Sequence, residues 1–190
     1  MAYGEASTKD DADEMWAIAS VLVRQRDARG YSDIGTFATS EPTFSFAVSD
    51  GNKRYNKLMK ATEEDIAKSN CMTSAIEAAK NALSGGTDKS GAAYFWDGAD
   101  IKSNYEHHYK VKHGIKITDP SHNIYNLKDS TKIVIKYKFT KIKIGKKITI
   151  KKEEIGRYDH IYESTAGHGG TIFWKFGKSY LDVSYAKEYK

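Results

Sequence analysis

Residues 3–30 read YGEASTKDDADEMWAIASVLVRQRDARG, and this stretch decides the fold of the first half of the chain. Its apolar residues recur at helical spacing, acidic residues crowd its beginning, and arginines precede Gly30. Acidic side chains favour the positive start of a helix, and glycine favours the position just after its end. The pattern therefore predicts a largely buried helix that Asp10 or Thr8 caps and that Gly30 stops.

The next segments alternate between turn residues and helical spacing. Residues 31–52 contain glycine, proline and a Ser-Asp-Gly sequence, which predict irregular structure. Residues 63–83 have apolar residues at helical spacing, so we expect a second long helix, capped by Thr62 and ended by two glycines. A short apolar and aromatic run, residues 92–96, follows.

The pattern changes to β after about residue 100. Apolar residues alternate with lysines over residues 132–150, and the phase of the alternation slips near Thr140. This predicts a hairpin that turns at Gly145-Lys146, with a bulge at Thr140-Lys141. Residues 171–174 are expected to form another strand. The fold class predicted is α+β.

Charge is distributed unevenly along the chain. Residues 1–100 contain 11 Lys and Arg against 16 Asp and Glu, whereas residues 101–190 contain 19 against 9 and all six histidines. We therefore expect two parts with a soft boundary near residue 100, and the basic part suits an anionic polymer. A second interpretation stays open: the lysines simply solvate one face and protect strand edges.

Four motifs follow one another in the first hundred residues. They are Tyr-Gly-Glu-Ala at 3–6, an apolar helix ending at Arg24, Phe44-Ser45, and Asp-Lys-Ser-Gly-Ala-Ala-Tyr-Phe at 88–95 after an alanine-rich helix that ends at Gly85. In this order they resemble the SleB-like cell-wall hydrolase family. The chain departs from the family pattern at Ser7, where arginine is usual, at Val23, where asparagine is usual, and within residues 88–93.

The resemblance implies a lysozyme-like helical unit at residues 1–100 and cleavage of peptidoglycan glycan strands, commonly by lytic transglycosylation. The family's catalytic glutamate lies in its Gly-Glu-Ala motif, which falls on Glu5 here. Without that resemblance, a glutamate near a helix start is usually a capping or helix-dipole group. Residues 101–190 match nothing in the family, so they form a basic, strand-containing part that binds or regulates.

A glutamate that protonates a glycosidic oxygen must hold its proton near neutral pH, which burial among apolar and aromatic groups favours. Phe95 is a further candidate for the wall of such a pocket. The candidate substrate-binding residues around Glu5 are Tyr3, Phe44, Ser45, Phe46, Tyr94, Trp96 and Asp97. Ser45 is a candidate to orient Glu5 or to bind an N-acetyl group, although a local turn bond explains it equally well.

Two reaction routes are open. In a lytic transglycosylase the same glutamate next acts as base on the 6-hydroxyl of the sugar, so no second carboxylate is needed. A hydrolytic muramidase normally needs one, and Asp97 and Asp13 are the candidates. The sequence favours the lytic route.

Neither a metal nor a cofactor is expected. His107, His108 and His113 lack the i, i+4 spacing of a helical zinc site, and no cysteine lies near them. The segment Gly167-His168-Gly169-Gly170 lacks the lysine and the strand–loop–helix context of a phosphate-binding loop.

The predicted function is peptidoglycan cleavage by a secreted antibacterial effector, such as one exported by type VI secretion, or by a phage lysin. The expected partners are peptidoglycan, secretion machinery and a cognate immunity protein, with no nucleic acid and no membrane span. No Sec signal is visible, so the protein would be made in the cytoplasm and act in the periplasm or wall of a target cell. The alternative is an inactive lysozyme-like module that binds cell wall or another anionic polymer. A nucleic-acid-binding protein is a third interpretation.

Overall fold

The computed structural model describes residues 1–49 and 51–190, and the side chains of residues 46, 47 and 49 lie outside that description. The described helices are α1 (Ala2–Glu5), α2 (Ala12–Arg29), α3 (Ile34–Ser40), α4 (Pro42–Ser49), α5 (Lys53–Met59), α6 (Glu63–Ala67), α7 (Asn70–Leu83), α8 (Asp100–Ser103), α9 (Tyr109–His113) and α10 (Lys178–Ser184). The strands are β1 (Phe95–Asp97), β2 (Ile115–Lys116), β3 (Val134–Ile144), β4 (Lys147–Tyr158), β5 (Tyr162–His168) and β6 (Thr171–Phe176). Helices and strands are both present, which confirms the predicted α+β class.

The long helix α2 forms as its sequence predicts, apart from its cap. Gly30 adopts φ +80° directly after the last helical residue, which confirms it as the stop. The cap is Asp11, whose Oδ1 accepts from the backbone nitrogen of Glu14 at 3.0 Å. The prediction of Asp10 or Thr8 was therefore wrong by one residue or more, because several polar residues in a row offer the same local signal.

Two further predictions about helices were wrong. Residues 31–52 were predicted to be irregular, but residues 34–40 form α3, capped by Asp33, and residues 42–49 form α4, which begins at Pro42; Asp50 lies outside the described residues. Residues 63–83 are two helices, because Ser69 leaves the helical conformation and its side chain caps α7. Serine and aspartate hydrogen-bond readily to nearby backbone, so they begin new helices where apolar spacing alone suggests continuity or a loop.

The four-stranded sheet has the order β1-β6-β5-β2. Strand β6, which confirms the strand predicted at residues 171–174, pairs antiparallel with both β1 and β5, and β5 pairs parallel with β2. Since β1 lies before residue 100 and β6 after it, the predicted boundary falls between two strands that pair with each other. The two parts of the sequence therefore meet in a single sheet.

The sheet separates two apolar cores. Phe173 joins the core that the helices build, whereas its neighbours Ile172 and Trp174 face the core formed with residues 101–127. This alternation is expected of a strand covered on both faces. None of the helices in the described part of the chain combines the length and hydrophobicity that crossing a bilayer requires.

Strands β3 and β4 form a separate two-stranded ribbon. The turn at Gly145 and Lys146 confirms the predicted hairpin, and Gly145 has φ +60°. The predicted bulge at Thr140-Lys141 was wrong: the register shifts between Lys136 and Tyr137. Residues 137–155 are exposed on both faces of the ribbon, so no buried face requires apolar and polar residues to alternate regularly there. A shift in the phase of that alternation can therefore occur without a bulge.

Candidate active site

Glu5 ends α1, a single helical turn anchored by the buried residues Tyr3 and Ala6. The glutamate itself is half-buried. Its Oε1 atom lies 3.4 Å from the amide nitrogen Nδ2 of Asn52, which also donates to the carbonyl oxygen of Gly4 at 3.1 Å. The candidate acid is thus tied to the start of α5, where Asn52 is the N-cap.

Asn52 is held at both ends of its side chain. Its Oδ1 accepts from the backbone nitrogens of Arg54 and Tyr55 at 3.1 and 3.0 Å, which directs the amide nitrogen toward α1. Gly4 allows this approach, because a Cβ there would stand 3.0 Å from the Cβ of Tyr55. A glycine directly before Glu5 therefore suits the close packing of α1 against α5.

Arg54 fixes the backbone on both sides of Glu5. Its Nε donates to the carbonyl oxygen of Tyr3 at 2.8 Å, and its Nη1 donates to that of Ser7 at 3.2 Å. Its Nη2 pairs with Asp10 at 2.8 Å, and the guanidinium carbon lies 4.3 Å from the centroid of the Tyr3 ring. Tyr3, proposed from the resemblance to bind substrate, is thus buried beneath an arginine.

Sequence reasoning missed both Asn52 and Arg54. The available signal was local: an asparagine that follows a glycine and precedes a helical segment is a common N-cap. The contact of Asn52 with Glu5, 47 positions earlier, cannot be inferred from the spacing of residues in the sequence.

Three of the predicted aromatic residues do come together. Phe44, Tyr94 and Trp96 line one cavity of about 290 Å³, whose other described lining residues are Thr43, Phe95 and Lys110. The rings of Phe44 and Trp96 pack with centroids 5.7 Å apart. Glu5 is not among the described residues that line this cavity.

Glu5 and the cavity are nevertheless connected through one core. Ala6, which follows Glu5, belongs to the same apolar cluster as Phe44 and Ala93, and Trp96 packs against that cluster. Segments far apart in the sequence, around Glu5, Phe44 and Ala93, therefore contribute to one apolar core.

Two predicted residues have hydrogen-bond partners, one local and one distant in the sequence. The Ser45 hydroxyl donates to the carbonyl oxygen of Pro42 at 3.4 Å. The Tyr94 hydroxyl lies 3.2 Å from a carboxylate oxygen of Glu188, and burial together with that charge raises the pKa of Tyr94. The side chain of Phe46 lies outside the described residues.

Arg24 joins the motif at the end of the apolar helix to the motif at residues 88–95. Its guanidinium donates to Ser90 at 3.2 Å and also contacts Asp88 and the carbonyl oxygen of Ala93. Burial alone would raise the pKa of Asp88, but hydrogen bonds from Ser90 and Ala92 and the charge of Arg24 hold the pKa below its usual value. The loop that leads to Tyr94 is fixed by this network.

Asp97 belongs to a charged cluster beside the cavity. The Lys110 ammonium lies 2.8 Å from its Oδ1, and Nε2 of His108 lies 3.4 Å from the same oxygen and 3.4 Å from Oδ2 of Asp100. Asp97 Oδ2 and His108 Nδ1 are buried without a hydrogen-bond partner among the described residues. Asp97 is therefore a carboxylate next to the aromatic cavity with positive charge already at one oxygen.

The same cluster is the one described group that resembles a metal site, since ligand atoms of Asp97, Asp100 and His108 lie within 4.8 Å of one another. Carboxylate and imidazole ligands suit several divalent cations. The ammonium group of Lys110, paired with Asp97, opposes the entry of a second positive charge. The donor set therefore fits an ion pair better than a metal ion.

Asp13, the other candidate second carboxylate, pairs with Lys89 at 3.3 Å. Glu14, which sequence reasoning did not single out, is fully buried and accepts hydrogen bonds from Ser7, Gly170 and Thr171. Ser7 thus has a structural role, because its backbone nitrogen and its hydroxyl both donate to Glu14.

Comparison of the chain with protein-family models, curated proteins and solved structures found no match.

Proposed function

We propose that the protein cleaves peptidoglycan glycan strands, with Glu5 as general acid and base. The observation that supports this most is the convergence of the motifs. Glu5 follows Tyr3 and precedes Ala6, and the core that buries both also packs the aromatic walls of a cavity, Phe44 and Trp96. A half-buried carboxylate suits the transfer of a proton, and a cavity with aromatic walls built on the same core suits the binding of a sugar.

In the proposed reaction, Glu5 first donates its proton to the oxygen that links two sugars. Asn52 and Arg54 hold α1 in place, so the carboxyl group needs little reorganisation as the bond breaks. The carboxylate then accepts the proton of the 6-hydroxyl, whose oxygen closes on the anomeric carbon. Glu5 is returned to its protonated state, and the products carry a 1,6-anhydro ring.

Hydrolysis is the second route, and Asp97 is the observation that favours it. This carboxylate lies next to the cavity through its partner Lys110 and has one oxygen without a hydrogen bond among the described residues. This oxygen is buried in the structure, so in a hydrolase it would have to reach the cavity to accept a proton from the attacking water molecule. Asp13 is a weaker candidate because it is half-exposed and paired with Lys89.

A binding module without activity is the alternative function. The lysine-rich ribbon β3–β4 favours it, because an exposed basic surface binds anionic polymers whether or not a glutamate acts elsewhere. As an enzyme or as a module, the protein would be delivered from the producing cell to the periplasm or wall of a target cell by secretion machinery. The producing cell would need an immunity protein.

The test is digestion of purified sacculi followed by mass spectrometry of the released muropeptides. We expect products with a 1,6-anhydro ring, lighter by one water than hydrolysed ends. Reducing-end products would contradict the lytic route and make Asp97→Asn the next variant. Binding without release of any fragment would contradict cleavage and leave the binding module. Glu64→Gln, an exposed glutamate on α6, is the matched control.

A further inference from the structure

The ribbon formed by β3 and β4 carries positive charge without compensation near its tip. Residues 131–152 contain nine lysines and no aspartate or glutamate. At about 3.4 Å per residue, the eleven residues of β3 extend over roughly 35 Å. A two-stranded ribbon is only marginally stable in water by itself, so a surface of this kind is expected to have a partner.

Among the described residues, the base of the ribbon is the part that packs against the rest of the protein. The ring of Tyr158 meets that of Tyr180 with centroids 5.2 Å apart, and Gly156 lies against Val183 of α10. Beyond this base, every residue from 137 to 155 is exposed. The tip therefore extends away from both apolar cores.

Large apolar side chains cluster at that tip. Ile144 and Ile148 flank the turn and are 73% and 63% exposed, and Ile142 and Ile150 lie two residues further back on each strand. Aliphatic residues in water cost free energy in proportion to their exposed area. Four exposed isoleucines around one turn, two on each face of the ribbon, thus point to an apolar environment that the described residues do not provide.

Lysines and isoleucines share both faces of the ribbon. Lys143 stands opposite Ile148 on one face, and Ile144 stands opposite Lys147 on the other, since paired residues point to the same side. Neither face is wholly apolar, so the ribbon does not present one dry surface to a folded protein. The lysines opposite Ile144 and Ile148 can instead lay their stems along apolar surface while their ammonium groups reach a polar layer above.

We propose that the tip of this ribbon docks into the surface of an anionic lipid bilayer, with the isoleucines entering the boundary between headgroups and acyl chains. The three residues at the end of each strand span about 7–10 Å, which matches the roughly 5–10 Å depth of interfacial insertion. Lysines provide the charge complementarity to anionic lipid headgroups. This inference does not depend on the proposed cleavage of peptidoglycan.

A nucleic acid is the main competing partner, because a two-stranded ribbon fits the major groove of DNA. Phosphates would attract the lysines equally well. The phosphates of a nucleic acid would leave Ile144 and Ile148 without an apolar partner. A bilayer accommodates both the lysines and the isoleucines. The isoleucines therefore decide in favour of lipid.

The experiment is flotation of the full-length protein with vesicles of phosphatidylcholine alone and of phosphatidylcholine mixed with phosphatidylglycerol. We expect binding to the mixed vesicles only, weakening as salt is added. The variant Ile144→Thr/Ile148→Thr keeps charge and β propensity, and its affinity should fall on the order of ten-fold or more. Each of Lys143→Gln and Lys147→Gln should weaken binding roughly five-fold at low salt.

Matched controls lie outside the ribbon. Leu83→Thr and Lys80→Gln change an exposed apolar and an exposed basic residue of α7, and neither should affect vesicle binding. A second measurement uses Lys146→Cys in a Cys71→Ser background, labelled with an environment-sensitive dye. Its emission should shift to the blue with anionic vesicles.

Several results would overturn the proposal. Vesicle binding that is unchanged in the double threonine variant would mean adsorption by charge alone. Absence of vesicle binding together with steeply salt-dependent binding to a DNA fragment would identify a nucleic-acid ribbon instead. A protein that is dimeric in solution and becomes monomeric in the double threonine variant would show that the tip binds a second copy of the chain.

Discussion

Two glutamates lie on either side of Ser7, in opposite surroundings. Glu14, in the first turn of α2, is fully buried, and its carboxylate accepts from two groups of Ser7, from the backbone of Gly170 and from the Thr171 hydroxyl. Glu5 ends the single turn of α1, is half-buried and lies near Asn52. The four donors occupy the acceptor sites of the Glu14 carboxylate, so Glu14 has a structural role. The carboxylate of Glu5 is partly exposed and can reach a substrate.

The difference shows that burial by itself does not mark a catalytic acid. Glu14 connects the start of α2 to the turn between β5 and β6, and so joins the helical core to the sheet. A Cβ on Gly169 would stand only 2.3 Å from Glu14 Oε2, which shows how closely the turn surrounds the carboxylate. The partial exposure of its side chain separates the candidate catalyst Glu5 from the structural residue Glu14.

The largest effect is expected from Glu5→Gln. This change keeps the size and much of the hydrogen bonding of the side chain but removes the proton that it would transfer. Positioned acid–base catalysis contributes roughly 10²–10⁴-fold, so the rate of sacculus digestion should fall by that factor while the melting temperature hardly changes. Retention of the wild-type rate by a folded Glu5→Gln protein would remove Glu5 from the mechanism.

Glu14→Ala should show the opposite behaviour. The change leaves the donors of Ser7, Gly170 and Thr171 without their acceptor in a buried site, and each buried unsatisfied group costs about 1–3 kcal/mol. A loss of about 3–5 kcal/mol in the free energy of unfolding is expected, measured by chemical denaturation. The rate per folded molecule should stay close to that of the wild type. A stable variant with no activity would instead assign catalysis to Glu14.

The sequence predicted those features that depend on local spacing. The helix that Gly30 ends, the hairpin at Gly145 and the strand at residues 171–174 follow from propensity and from apolar periodicity. The breaks that created α3, α4 and α7 depend on single capping side chains, such as Asp33 and Ser69, which apolar spacing does not reveal.

The site was harder to predict from the sequence than the fold. The sequence suggested Phe44, Tyr94 and Trp96 as aromatic walls, and they do share a cavity. It could not reveal that Asn52 approaches Glu5, because that contact is long-range and made by tertiary packing. In the same way, a glutamate in the first turn of a helix is usually interpreted as a residue that interacts with the helix dipole. The sequence near Glu14 does not indicate that this residue contacts residues 170 and 171.

The smallest effect is expected from Ser7→Ala. The hydroxyl of Ser7 donates to Glu14 Oε2 at 2.7 Å, while the backbone nitrogen of Ser7 donates to Oε1 at 3.1 Å and would remain. Removing one charge-assisted bond should cost about 1–2 kcal/mol, which corresponds to a fall of roughly 2–8 °C in the melting temperature of a chain of this size.

The rate of digestion by folded Ser7→Ala should be that of the wild type, because Ser7 serves the structural glutamate and not the candidate acid. Ser84→Ala is the matched control, since its hydroxyl donates to a backbone carbonyl at the exposed end of α7. If Ser7→Ala keeps its stability and loses activity, position 7 takes part in the reaction and not only in the fold. The two glutamates would then belong to one connected site, and the contrast between them would no longer separate catalysis from structure.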